Sequence, residues 1–169
     1  MTTDLRIDSR ATMHPRQGDF QLLTFRVDEQ EYALDIANVV QVVRMLAVTH
    51  APKAPEHVEG LINLRGKVIP VIDLRACTGL PPRPYDLDTQ LLIARADGRM
   101  LALMVDRVSE VLTLPAECVE PPDSLGIDVA HLSGVGQLGH RLLLILDPAT
   151  LLEAWKTAPE AAAGDTGQA

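Results

Sequence analysis

The chain carries one pattern of short apolar strands twice, and this repeat constrains the fold more than any other feature of the sequence. The two copies align when Gln21 is placed over Gln90. Other matched pairs are Arg26 with Arg95, Asp28 with Asp97, Ala33 with Ala102, Leu34 with Leu103, Val39 with Val108, and Val42 with Val111. A period of roughly 70 residues is too long for a solenoid, and it suits two copies of a small barrel.

Each copy ends in an apolar hairpin, and the clearer of the two spans Glu59–Leu74. Its strands flank a turn at Arg65-Gly66, where glycine can take the positive φ that a two-residue turn often needs. Pro70 cannot donate a ladder hydrogen bond, so its strand should lie at an edge or leave that position unpaired. The second hairpin, Gly134–Asp147, has its turn at Gly139-His140.

Short strands separated by turn signals predict an all-β fold with short helices and two barrels. We expect barrel 1 at approximately 20–88, barrel 2 at approximately 89–147, and a terminal helix over 148–156 with Pro148 in its first turn. In that helix Leu151, Leu152 and Trp155 can share one face. Residues 1–19 are predicted to form a flexible arm and residues 157–169 a disordered tail.

Charge and composition exclude one large class of partner. The formal net charge is −8, and aromatic residues make up only 3% of the chain. Nucleic-acid surfaces need a basic stripe or stacking aromatics. We therefore expect no nucleic-acid partner, and a core built from Val, Leu, Ile and Ala.

Cysteine use and hydropathy predict a soluble cytoplasmic protein. Cys77 and Cys118 are the only cysteines, and they are far apart in the chain, which indicates buried free thiols in a reducing compartment. The N-terminal segment has no apolar signal-peptide core. The longest apolar runs fall far short of the ~20 residues that a membrane-spanning helix requires.

Three candidate sites, for a dinucleotide, a zinc ion and a catalytic carboxylate pair, are not supported by the surrounding sequence. Gly134–Gly139 matches the dinucleotide-binding pattern, but a strand follows it where a helix is required, so a bulge and a hairpin turn are the better interpretation. The five histidines are scattered without zinc-ligand spacing. Asp73 and Asp147 each follow a strand, and helix N-capping explains them better than a catalytic pair. We expect no catalytic residues, no metal and no cofactor.

Two sets of residues leave a binding role open. The recurring Val39, Val42, Val108 and Val111 are either core residues or the lining of a groove that receives a partner helix. Arg65 at the hairpin tip is either an ordinary exposed turn residue or a cation that a partner contacts.

Four segments carry a resemblance to a known family. They are Gly60–Leu74, Tyr32–Ile36, Val105–Val111 and Leu132–Gly136. In this order, over about Phe20 to Trp155, the chain closely resembles the CheW-like domain family of chemotaxis coupling proteins.

The resemblance implies a fold and partners. The fold would be two five-stranded SH3-like barrels with a C-terminal helix. The function would be a non-enzymatic adaptor, which couples the cytoplasmic tips of methyl-accepting chemoreceptors to the regulatory domain of the histidine kinase CheA. It would be recruited to the inner face of the membrane in receptor arrays, with self-association in array rings and no membrane insertion. Carried over by position, the receptor-binding residues would be Val39, Gln41, Gly60, Arg65 and Val108. Gln41 departs from the family pattern, in which a glutamate is common.

Other interpretations remain open at this stage. One is a coupling protein of a pilus or other non-flagellar chemosensory pathway. Another is a fragment of a CheA-type kinase, against which the polar segments before Phe20 and after Trp155 argue. A small-molecule-binding barrel or enzyme would need convergent polar groups in a pocket, and the sequence indicates none.

Overall fold

A computed structural model describes residues 18–126 and 131–156 of the chain. The described residues form mostly β-strand. The strands are β1 (Phe20–Val27), β2 (Gln30–Asp35), β3 (Val39–Arg44), β4 (Val58–Leu64), β5 (Lys67–Asp73), β6 (Gln90–Ala96), β7 (Arg99–Val105), β8 (Arg107–Leu114), β9 (Val119–Glu120), β10 (Leu132–Leu138) and β11 (Arg141–Leu146). The α-helices are α1 (Leu74–Cys77) and α2 (Pro148–Lys156), and single 3-10 turns lie at Ile36–Asn38, Ala116–Cys118 and Pro122–Leu125. The expected arm and tail, apart from 18–19, lie outside the described residues.

The strands form two sheets that correspond to two compact units. Unit 1 runs to Val39 and resumes from Arg107 to Asp147, and its sheet has the order β8-β1-β2-β11-β10-β9. Unit 2 runs from Val40 to Asp106 and resumes at Pro148, and its sheet has the order β3-β6-β7-β5-β4. Two such sheets fit SH3-like barrels, which confirms the predicted fold class.

The predicted division of the barrels at residues 88 and 89 is wrong. Each sheet combines strands from both halves of the chain, because β1 pairs with β8 and β2 with β11, whereas β5 pairs with β7. The repeat revealed which strands are alike, but local pattern carries no information about which copy supplies a strand's neighbour. Sequential strands are usually adjacent in space, and that tendency favoured the simpler division.

The repeat is preserved although each sheet combines strands from both halves of the chain. Under the alignment of the two copies, β8-β1-β2-β11-β10 in unit 1 corresponds strand for strand to β3-β6-β7-β5-β4 in unit 2. Even the register of the parallel pairs agrees, since Ile145 lies opposite Ala33 in unit 1 and Val71 opposite Ala102 in unit 2. The short β9 adds a sixth strand in unit 1 alone.

The two cores are built from equivalent positions. In unit 1 the buried cluster contains Leu22, Ala33, Leu143 and Ile145, and in unit 2 it contains Leu91, Ala102, Ile69 and Val71. These positions alternate along each strand, which places one face of each sheet in the core.

Turns and bulges recur as well. Arg65 and Gly66 both have positive φ, 53° and 86°, as a two-residue hairpin turn of this hand requires. Register shifts occur between Val58 and Gly60 in one hairpin and between Leu132 and Gly134 in the other. The predicted bulge and turn within Gly134–Gly139 are therefore confirmed.

Pro70 is accommodated inside the sheet, on an interior strand. The backbone N–H and C=O of its cross-strand partner Leu61 both bond to Thr49, at 2.8 Å, so Leu61 and Pro70 form a non-hydrogen-bonded pair. The parallel pairing of β5 with β7 begins only at Val71. The missing N–H of Pro70 therefore costs no ladder hydrogen bond, as the second predicted alternative requires.

The short helices form where capping residues allow. Asp35 Oδ1 accepts a hydrogen bond from Ala37 N at 2.9 Å, and Asp73 Oδ1 accepts one from Arg75 N at 3.0 Å. The N-cap predicted at Asp73 is confirmed, Asp35 caps its 3-10 turn in the same way, and the N-cap at Asp147 stays a prediction. Helix α2 packs against β6, with Leu151 and Leu152 buried. Among the described residues, none of the helices combines the length and apolar character required to cross a membrane.

Candidate functional site

The tip of the β4–β5 hairpin in unit 2 presents a long cation, Arg65. Arg65 is exposed, and the turn beneath it is fixed by a hydrogen bond from Gly66 N to Asn63 Oδ1 at 2.8 Å. Arg65 Nη1 donates to Gln41 Oε1 at 3.4 Å, which is a long and weak contact. Gln41 is neutral, so it orients the guanidinium without neutralising its charge.

Strand β3 lies at one end of the strand order of unit 2 and keeps apolar side chains at the surface. Val40 is 39% exposed and Val42 36% exposed, whereas Gln41 and Val43 on the other face are half-buried. Val42 is therefore a surface residue, although its repeat partner Val111 is buried in unit 1. The strand offers both a polar anchor and an apolar surface.

Gly60 is buried and supports the site indirectly. A Cβ atom at this position would lie 2.3 Å from the Thr49 carbonyl oxygen and 2.7 Å from Val48 Cγ1. Only glycine allows the segment at residues 48–49 to approach the strand this closely. Gly60 thus fixes a neighbouring segment and exposes no side chain to a partner.

The two predicted valines lie in unit 1. Val39 is half-buried, and Val108 is only 6% exposed and packs within the core of that unit. Within unit 2 the structure brings Gln41 and Arg65 into contact, and Gly60 lies on the same hairpin as Arg65.

Sequence reasoning missed a buried ionic anchor. Arg75 is only 7% exposed, and its Nη2 donates to Asp106 Oδ2 at 3.1 Å. Arg83 Nη2 lies 3.1 Å from the other oxygen of Asp106. This arrangement ties the proline-rich segment after α1 to the end of β7, and nothing in the local pattern of the sequence signals it.

The cysteines are free thiols, as predicted, although both are half-buried rather than fully buried. Burial, with a smaller contribution from Asp73, raises the pKa of Cys77 to about 12. The Cys77 thiol therefore stays protonated near neutral pH and is a poor nucleophile. Within 18–126 and 131–156, no group of three or more His, Cys, Asp or Glu side chains could hold a metal ion.

Two SH3-like barrels with an exposed cationic hairpin tip define a small β-barrel scaffold. Comparison with known proteins identifies the family to which this scaffold belongs. The model of the CheW-like domain matches residues 21–155. The chemotaxis protein CheW of Klebsiella aerogenes is 33% identical over 136 residues, which cover 79% of this chain and 82% of the relative. CheW of Helicobacter pylori is 32% identical over 127 residues, 75% of this chain and 77% of the relative.

A solved structure agrees with these relatives. The scaffolding protein TtCheW from Thermoanaerobacter tengcongensis matches with a TM-score of 0.70 and 36% identity, covering 76% of this chain and 88% of that one. The chain belongs to the CheW-like domain family. It is a chemotaxis coupling adaptor.

Proposed function

We propose that this adaptor couples the cytoplasmic tips of methyl-accepting chemoreceptors to the regulatory domain of the histidine kinase CheA, without catalysis of its own. In this proposal it is recruited to the inner face of the membrane through receptor arrays and takes part in their rings. A receptor signal can pass through an adaptor only if the adaptor binds the two signalling states with different affinity.

The observation that carries the receptor assignment is the state of Arg65. The cation is exposed at a hydrogen-bonded turn, and its one side-chain hydrogen bond within the described residues is to the neutral amide of Gln41. A receptor carboxylate or helix C-terminal carbonyl can therefore bond to Arg65 without first displacing a carboxylate. A charged hydrogen bond of this type contributes about 1.5–3 kcal/mol.

The other predicted residues keep different parts in the proposal. Gln41 orients Arg65, and Gly60 holds the neighbouring segment in place. Val39 and Val108 remain candidate apolar contacts in unit 1, where Val39 retains more exposed surface than Val108. The kinase regulatory domain would meet an edge of a barrel.

The test is a sedimentation assay with the full chain, a receptor cytoplasmic fragment and the regulatory domain of the cognate CheA. Arg65→Glu should weaken the receptor complex about tenfold or more, because one charged hydrogen bond becomes a like-charge contact. Kinase binding and the melting temperature should stay near those of the wild type.

Lys53→Glu is the matched control, since it reverses an exposed charge in the same unit. It should leave receptor binding intact. If the two variants weaken receptor binding equally, the effect is one of net charge and the Arg65 assignment fails. If the wild-type chain binds neither partner, the coupling function itself is wrong.

A further inference from the structure

Unit 2 contains a cleft whose lining is unusually basic for this acidic chain. The cleft has a volume of about 460 Å³ and lies between the tips of the β4–β5 and β6–β7 hairpins. Three cations line it, Lys67, Arg95 and Arg99, together with the apolar side chains of Val68 and Met100. Val68 is 58% exposed. A cluster of cations beside exposed apolar surface is a feature that the receptor-binding residues do not account for.

The repeat shows what the equivalent cation does in unit 1. Arg141 opens β11 as Lys67 opens β5, and each lies opposite a leucine across its hairpin. Arg141 Nε and Nη2 donate to the two oxygens of Glu31 at 3.2 and 2.6 Å, and Nη2 also donates to Glu110 at 2.9 Å. The hydrogen bonds that Arg141 donates to these carboxylates raise the pKa of its guanidinium and hold it charged.

In unit 2 the cation is kept and both carboxylates are replaced. Glu31 faces Arg26 across β1 and β2, and in the equivalent pair Met100 faces Arg95 across β6 and β7. The repeat places Gln41 at the position of Glu110. No ion pair within the described residues involves Lys67 or Arg99. Positive charge that is neutralised internally in unit 1 is therefore presented to solvent in unit 2.

We propose that this cleft binds an acidic segment of a partner protein, whose carboxylate bonds to Lys67 and Arg99 as Glu31 bonds to Arg141. An apolar residue next to that carboxylate would pack on Val68 and Met100. Charge complementarity favours a protein segment over nucleic acid, because the net charge of −8 repels a long polyanion and aromatics for base stacking are scarce. The cleft residues do not include Arg65 or Gln41, so the proposal stands apart from the receptor assignment.

The test uses a peptide that copies the internal partner. The acetylated, amidated sequence of residues 28–34, Asp-Glu-Gln-Glu-Tyr-Ala-Leu, carries the carboxylate that occupies the equivalent place in unit 1. It is titrated into the isotope-labelled full chain up to about 5 mM, a range that detects a Kd as weak as about 1 mM. We expect the amide NMR signals of residues 67–68 and 98–100 to move, and we expect added salt to weaken the binding.

Variants and matched probes give the proposal a clear way to fail. Arg99→Glu should weaken peptide binding about tenfold, as expected for loss of one charged hydrogen bond of about 1.4 kcal/mol. Arg107→Glu, an exposed reversal in unit 1 with the same change in net charge, should have little effect. A peptide with Asn and Gln in place of its three acidic residues should bind much more weakly.

Several results would overturn the proposal. They are an absence of signal shifts with the acidic peptide, equal binding by the neutral peptide, and equal weakening by Arg99→Glu and Arg107→Glu. Inorganic phosphate that displaces the peptide and reproduces its shifts would show a general anion site instead. If Arg99→Glu fails to fold, the two peptides still decide the question on the wild-type chain.

Discussion

Units 1 and 2 have the same strand order, equivalent core positions and matching bulges, yet their charged surface residues differ. In unit 1 the cation that opens β11, Arg141, is bonded to Glu31 and Glu110. In unit 2 the equivalent Lys67 lines an open cleft. The repeat has thus kept the positions that bury apolar area and has changed the charges at the surface. Burial constrains residue type strongly, whereas an exposed charge contributes little to stability and is free to serve binding.

The largest expected effect tests whether the two cores are equivalent. Val71→Asp and Ile145→Asp each place an unpaired carboxylate at a buried position of the parallel strand pair. Each should destabilise its unit by more than about 4 kcal/mol, measured by urea unfolding. Val68→Asp, on the exposed side of the same strand as Val71, should change the free energy of unfolding by less than about 0.5 kcal/mol. Tolerance of only one buried Asp would break the comparison.

The next effect compares the two bulge glycines. Gly60→Ala should cost about 3 kcal/mol, because the new methyl group meets the backbone at Thr49. Gly134→Ala should cost about 1 kcal/mol, since the nearest atom, 2.9 Å away, is a methyl group of the Val119 side chain. The free energies of unfolding of the two variants test this ranking. Equal losses would show that both glycines have the same role.

A smaller effect distinguishes Arg141, which is bonded to two carboxylates, from its exposed counterpart Lys67. Arg141→Ala removes three hydrogen bonds and leaves the Glu31 side chain, 11% exposed, without its charged partner. We expect a loss of about 1–2 kcal/mol after allowing for the partial exposure of Arg141. The equivalent Lys67→Ala should be nearly neutral in the same unfolding assay. Equal losses would mean that Lys67 has a structural role and that the cleft is not free to bind a partner.

The smallest effect concerns pH in unit 1. Burial lowers the pKa of His131 below its ordinary 6.5, although Asp147 opposes the shift. The folded state therefore binds this proton less readily than the unfolded state. The corresponding stability is present above the ordinary pKa and is lost as the pH falls through 6.5 toward the folded pKa. His131→Gln should remove this component, which shows as a flatter dependence of unfolding free energy on pH between 7 and 5. An unchanged slope would show that His131 does not carry it.

The candidate site was partly readable from the sequence. The hairpin turn at Arg65-Gly66, the caps at Asp35 and Asp73 and the exposure of Arg65 all follow from local rules on turns and helix ends. That Val108 is buried whereas Val42 is exposed does not follow, because both are valines at recurring positions of equivalent strands. The alignment of the copies carries a signal for the cleft, since it places Met100 over Glu31 and Gln41 over Glu110, so unit 2 lacks both carboxylates.

By itself the sequence determined the strands, their turns, the repeat and the family, because these depend on hydrophobic period, turn chemistry and motif order along the chain. Only the tertiary structure decided that each barrel is built from both halves, and which cations are neutralised. Strand partners and ion pairs join residues far apart in the chain, such as Glu31 and Arg141. Those pairings are set by which surfaces pack together, and no local pattern encodes them.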